Sequence, residues 1–186
     1  MDVLENLRNF KKWFSDHRLQ SDSFAEDIHR MGDEIVDWYL YKGVTPVVVF
    51  KIKILDSMRS HYDNSHAGAL TTLVDWLTHM AGAADPAYWP KDRPATEEDF
   101  KRVQRSLGLS RRLSLQYLKE VPLGVEVFVQ CMLLENTKSR QYFVVEIYDK
   151  DRVYVRGTHD KIKLYKGIKN RDSKESRDVF GTSSKL

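Results

Sequence analysis

The stretch AGALTTLVDWLTHMAGAA, residues 67–84, decides how this chain folds. Leu70, Leu73, Val74, Leu77 and Met80 or Ala81 recur at three- and four-residue spacing, which predicts an amphipathic helix with one apolar stripe. A stripe of that kind needs a covering surface, and the flanking sequence supplies one. Upstream, VVVFKIKIL at 47–55 is β-branched and aromatic and alternates in its later half, so it predicts a strand. The polar run DSMRSHYDNS at 56–65 between them reads as a loop. Downstream, DPAYWPKDRPA at 85–95 carries three prolines, which exclude regular helix and central strand. Thr96 followed by Asp99 predicts a helix start, and that helix runs to about Leu107. Four strands are expected after it, near 109–118, 124–135, 140–149 and 152–165, with Asp149-Lys150-Asp151 turning between the last two.

Toward the N-terminus, Leu4, Leu7, Phe10 and Phe14 predict a helix over 4–19. Phe24, Ile28, Met31, Ile35 and Trp38 keep the same period and predict a second over 23–41, with Ser23 as N-cap and Gly43 past its end. The expected organisation is a helical extension over 1–43, a central domain over 44–166 with an insertion at about 84–106, and a basic tail over 167–186. One long helix followed by a run of strands is the pattern of an α+β protein with an antiparallel sheet packed on a helix.

At 186 residues and 21.8 kDa the chain suits one domain with an appended piece. Hydrophobic residues at 41% and charged residues at 31% exclude global disorder. The single cysteine, Cys131, excludes an intrachain disulfide and a Cys-rich zinc site, and it sits among Val127, Val129 and Leu133 like a core thiol. No apolar run is long enough to span a membrane, and the acidic start MDVLE lacks a signal core, so a cytoplasmic location is expected. The net charge is +3, but residues 161–186 hold eight Lys or Arg against three acids. That basic end suits an anionic partner, or is simply a solvated tail.

On the 67–84 helix the apolar stripe leaves Thr71, Thr72, Asp75, Thr78 and His79 on another face. Asp75 is the one acid in that stretch and a poor mid-helix residue, so helix formation does not ask for it. His66-Ala67-Gly68 at the helix start exposes unpaired N–H groups that could hold an oxyanion. His61, His66 and His79 lie near Asp75 in sequence, yet lack metal-ligand spacing, and no nucleophile-elbow motif occurs.

The run HAGALTTLVD at 66–75 resembles the H-G-G-x-x-x-T-L-x-D signature of hotdog-fold acyl-CoA thioesterases, nearest to the phenylacetate-pathway and mammalian THEM-like groups. Gly108 to Leu118, with Ser110 and Tyr117, resembles a later strand of that family, and Val121-Pro122-Leu123-Gly124 the turn after it. The resemblance covers about 44–166. It implies a hotdog fold, a homodimer or homotetramer with interfacial active sites, acyl-CoA as substrate and no cofactor. By position, Asp75 would be general base or nucleophile, and the Ala67 N–H, assisted by Gly68, would polarise the thioester carbonyl. Ser110 would come from the partner subunit and orient the water.

The sequence departs from the pattern in three ways. Ser60 stands where many relatives carry Asn, leaving Asn64 or His61 to take that part; Ala67 replaces the first glycine of the signature; and residues 84–106 are inserted as either a lid or a surface excursion. Arg111, Arg140, Arg156, Lys161 and Lys163 are candidates for the coenzyme A phosphates. Two other readings compete with the enzyme: a catalytically inactive hotdog protein acting as a binding or assembly module, and a nucleic-acid component using the basic tail, for which no RNP-type motif exists.

Overall fold

A computed structural model describes residues 2–18 and 33–164. Helix α1 (Val3–Arg18) comes first, then strands β1 (Glu34–Tyr41) and β2 (Thr45–Lys53), helix α2 (Ala67–Ala81), helix α3 (Glu97–Ser106), and strands β3 (Leu109–Tyr117), β4 (Glu126–Asn136), β5 (Arg140–Tyr148) and β6 (Val153–Ile162). The six strands form one antiparallel sheet in the order β1-β2-β4-β5-β6-β3. The α+β expectation holds, and the fold is a hotdog: the sheet lies against the long helix α2.

The predicted stripe is the buried one. Leu70, Leu73, Val74, Leu77, Met80 and Ala81 pack on alternate residues of the sheet, among them Phe50, Val129, Phe143 and Val145. The alternation is cleanest in β5, where Gln141, Phe143, Val145 and Ile147 are buried and their neighbours are not.

The helix expected over 23–41 is corrected in part. Its residues 23–32 lie outside the described residues, but 34–41 form β1, the edge strand beside β2. The three-residue spacing of Ile35 and Trp38 reads as helical, yet a bulge between Ile35 and Asp37 returns both to the core side of a strand. The sheet therefore begins before residue 44.

The insertion is packed into the protein and is not a surface excursion. Trp89 is 5% exposed and its Nε1 donates to Ala83 O at 2.9 Å. Phe10 and Trp13 of α1 meet Trp89 and Phe100 at centroid separations of 5.8 to 6.1 Å, so α1 and the insertion share an aromatic cluster. Asp99 reaches back to the Thr96 N–H and pairs with Arg93 and Arg102, which starts α3 where the sequence predicts it.

One buried polar side chain ties the two elements that carry the site. Gln141, fully buried, donates to Gly82 O beyond the end of α2 and accepts from the Gly108 N–H before β3, both at 3.0 Å. Gln141→Leu leaves two buried backbone groups unpaired and should cost roughly 2 kcal/mol or more of stability. Urea denaturation measures it; an unchanged midpoint contradicts the tie.

Candidate active site

Asp75 lies midway along α2, where the helix passes under the β6–β3 edge of the sheet. Its side chain is 48% exposed, since among the described residues β3 has no strand beyond it. Ser110 of the same chain donates a short hydrogen bond to Asp75 Oδ1. The expectation that Ser110 reaches the site from a partner subunit is thereby corrected. A bulge between Ser110 and Arg112 turns Ser110 inward opposite Lys161 of β6.

Two β6 residues form the floor beneath Asp75. Lys161 is 2% exposed, with Nζ 3.4 Å from Asp75 Oδ1. His159 is fully buried, with Nε2 also 3.4 Å from that oxygen and Nδ1 2.6 Å from Thr78 Oγ1. Burial pushes the Asp75 carboxyl up, but the Ser110 hydrogen bond, Lys161 and His159 outweigh it and hold the group below its usual value. Burial, with the Lys161 charge, pushes His159 down to about 4, so its imidazole is neutral at pH 7. Burial also lowers the Lys161 ammonium, against the pull of Asp75. The result is an ionised carboxylate, open to solvent on one side and backed by a buried cation on the other.

The start of α2 is a second constellation. His66 is the N-cap, and its Nδ1 accepts the Gly68 N–H at 3.0 Å. A Cβ on Gly68 would sit 3.0 Å from that nitrogen, so glycine permits the cap. The Gly68 N–H is thus engaged, while the Ala67 N–H has no partner among the described residues. Tyr117 donates to Ala67 O at 2.9 Å and lies 2.7 Å from Thr71 Oγ1, pinning the first turn of α2 to β3. A groove of about 470 Å³ opens here, lined by Ser60, Asn64, His66, Ala67 and Tyr117 among others. Ser60 Oγ donates to Asn64 Oδ1 at 2.5 Å, which leaves the Asn64 amide hydrogens free to donate to a carbonyl. His61 is exposed and does not line the groove.

Along α2 the Ala67 N–H and Asp75 are eight residues apart, about 12 Å at the helical rise. The two halves of the predicted chemistry therefore occupy separate places on one chain.

The cations proposed for phosphates have other work. Arg111 and Arg140 both bind Asp160, and Arg140 also reaches Glu135. Arg156 pairs with Glu146 at 2.7 Å. Lys163 donates to Tyr88, Asn136 and Thr137. Lys161 points into the core toward Asp75, so it offers no charge to an external phosphate. The signal for Lys161 and His159 was in the sequence: they share the parity of Val155, an inward-facing strand position. Among the described residues no group of three or more His, Cys, Asp or Glu gathers as metal ligands would, and burial raises the Cys131 thiol, as for an inert core cysteine.

The thioesterase superfamily model matches residues 93–155, a span that includes Ser110 and Tyr117 but not α2. Among solved structures, mouse thioesterase superfamily member 2 is similar at 16% identity, covering 88% of this chain and 99% of its own, with a TM-score of 0.63. The PaaI protein of the Escherichia coli phenylacetic acid degradation operon is similar at 10% identity over 88% and 97%, TM-score 0.61. A hypothetical thioesterase from Streptococcus pneumoniae, solved with coenzyme A, is similar at 18% identity over 70% and 87%, TM-score 0.52. No curated protein matches the sequence. The thioesterase resemblance is borne out: the superfamily match covers its later stretch, 108–124, and the similar solved structures share the fold of the whole. No helix among the described residues is long and apolar enough to cross a membrane.

The electrostatics of the site can be tested without a substrate. Lys161→Met removes the cation beside Asp75 and leaves burial less opposed, so the Asp75 carboxyl should titrate at higher pH than in the wild type. Carbon-13 NMR titration of the side-chain carboxyl reads this directly. An unmoved or lowered Asp75 titration shows that Lys161 does not hold the charge.

Proposed function

We propose that this protein hydrolyses acyl-CoA thioesters in a homodimer whose active sites lie between two copies. The observation that carries the reading is Asp75: an ionised, half-open carboxylate held by Ser110 at the uncovered edge of a hotdog sheet. Asp75 takes a proton from a water oriented by Ser110 as that water attacks the thioester carbonyl carbon. The carbonyl oxygen becomes an oxyanion, for which an N–H donor in a water-poor pocket is the natural partner. Collapse of the intermediate breaks the carbon–sulfur bond, and the proton held by Asp75 passes to the departing sulfur, so that the acid and the coenzyme A thiol leave and Asp75 is ionised again.

The 12 Å separation gives the reason for two copies. The carboxylate–water, water–carbonyl and carbonyl–N–H contacts, each about 3 Å, span about 9 Å when fully extended, short of the separation between Asp75 and the Ala67 N–H of one chain. A second copy pairing along β3, a nine-residue strand whose outer edge has no strand partner among the described residues, would bring its Ala67 and Asn64 to this Asp75. Assembly of such dimers into a homotetramer and a cytoplasmic location complete the proposal. The competing account, an inactive hotdog module, draws support from the engaged Gly68 N–H, which leaves one backbone donor where two were expected.

Asp75→Asn should lower thiol release from acyl-CoAs by at least about a hundredfold. Ala67→Pro deletes the proposed N–H donor yet suits the first helical position, and His66 is already extended at ψ 134° as a residue before proline must be. It should cost a similar factor, about a hundredfold or more, with the fold intact. Neither variant is active alone, but refolding them together restores about a quarter of wild-type activity, because each mixed dimer regains one whole site. Full activity in Asp75→Asn removes the catalytic reading. No recovery on mixing, from two individually folded dimers, removes the interfacial one. A folded wild type that is inactive on short-chain, long-chain and aryl acyl-CoAs leaves the module account standing.

A further inference from the structure

A cavity of about 670 Å³ lies where the insertion meets the β4–β5 turn, beyond the end of β6. Its volume is that of a small-molecule site. Arg102 and Arg105 of α3, Lys138 of the β4–β5 turn and Lys163 line it, and the one carboxylate there is Asp85. Both Asp85 oxygens are engaged, one by the Ala87 N–H at 2.8 Å and the other by Asn136 Nδ2 at 2.7 Å. Four cations thus converge on one space, and the only acid among its described lining residues is already bound into the wall.

The walls are fixed to one another. Lys163 spends its three ammonium hydrogens on Tyr88 Oη at 2.9 Å, Asn136 Oδ1 at 2.5 Å and Thr137 O at 2.8 Å, which staples the insertion to the turn. Arg102 donates to Tyr88 O at 2.9 Å and pairs with Asp99. Arg105 and Lys138 stand on opposite walls, exposed, with no partner among the described residues. Like charges held around one cavity repel in the empty protein, and an anion between them relieves that repulsion. Beside the cations the lining is mixed: Ser106, Asn136 and Thr137 are polar, while Tyr88, Ala87 and Leu164, the last 60% exposed, give it an apolar portion.

We propose that this cavity binds a phosphorylated ligand with a ring or other flat apolar portion, the phosphate clamped between Arg105 and Lys138 and the ring against Tyr88 and Leu164. Two sources share that chemistry: a free nucleotide, and the nucleotide end of a coenzyme A ester. The second is within reach, since Lys163 lies two residues, about 7 Å, past Lys161 along the chain that carries the Asp75 floor. The binding itself does not depend on the catalytic reading.

The test is calorimetric titration of the full chain with adenosine 3′,5′-bisphosphate in low-salt buffer. One bisphosphate should bind per chain, weakening as salt is raised. The double variant Arg105→Ala/Lys138→Ala should weaken it at least tenfold, while the charge-conserving Arg105→Lys/Lys138→Arg keeps most of the affinity. Neither residue has a partner to lose, so both variants should fold. Asp75→Asn, which tests catalysis, should leave this binding unchanged. Competition then separates the sources. Displacement by desulfo-coenzyme A supports the cavity as the seat of a coenzyme A nucleotide, and simultaneous binding supports it as a free-nucleotide site. No binding at low salt, or equal binding by the double alanine variant, overturns the proposal. Pyrophosphate binding as tightly as the bisphosphate overturns the part assigned to the ring.

Discussion

Helix α2 is apolar along one stripe, and the burial of that stripe under six strands sets where every other group can lie. Six buried apolar side chains contribute on the order of 10 kcal/mol, an upper figure for an unfolded chain that is itself partly compact. A 15-residue helix alone would be marginal in water. With the stripe turned to the sheet, residues flanking it must fall at the sheet's margins. Thr78 falls inside and is satisfied by helix carbonyls and His159. Asp75 falls at the edge between β6 and open solvent. Its half-exposure is a consequence of strand order: among the described residues β3 ends the sheet, and none of them adds a strand on the far side.

The second layer follows from the first. Alpha-helix α1 and the insertion have apolar aromatic faces that the main sheet leaves uncovered, and they bury them on each other. Trp89 is the pivot, packed on Phe10 and Phe100 and bonded to Ala83 at the end of α2. This places α3 across from the β4–β5 turn and so creates the basic cavity. An extra segment in this part of the chain thus shapes the surface beyond β6 without entering the contacts of Asp75.

How much of this was legible depended on parity. Helix α2, the strand limits of β3 to β6 and the start of α3 could be read because period and caps agreed with one another. Residues 34–41 misled because a bulge converts the two-residue period of a strand into a three-residue step, and Ile35 with Trp38 then imitates a helix. The aromatic content of DWYLY favoured a strand, and weighing it above the period would have corrected the reading. Ser110 was found, but its chain was misassigned, because sequence carries no information on which copy fills a site. Lys161 and His159 were legible as inward residues by counting from Val155. For Lys161 that parity runs against the outward preference of lysine, and for His159 the parity is the one signal.

Lys161 asks for a reason beyond stability. A side chain with an ammonium, 2% exposed and with a single carboxylate 3.4 Å away, loses much hydration for one long contact. Its lowered pKa records that loss: the unfolded chain holds the proton more tightly, so this residue destabilises the fold below its usual titration range, and the penalty lifts only as pH rises through the lowered value and the ammonium deprotonates. A methionine fits a similar volume without that penalty. What the cation does supply is a fixed positive charge behind Asp75, on the side away from solvent, where water cannot screen it. Ser110 binds the same carboxylate oxygen that Lys161 faces, leaving Oδ2 unclaimed among the described residues. The arrangement holds Asp75 ionised and keeps one oxygen free on the open side, which is what a base needs in order to receive a proton from water. Asp99 and Asp160, by contrast, have both oxygens engaged by arginine side chains.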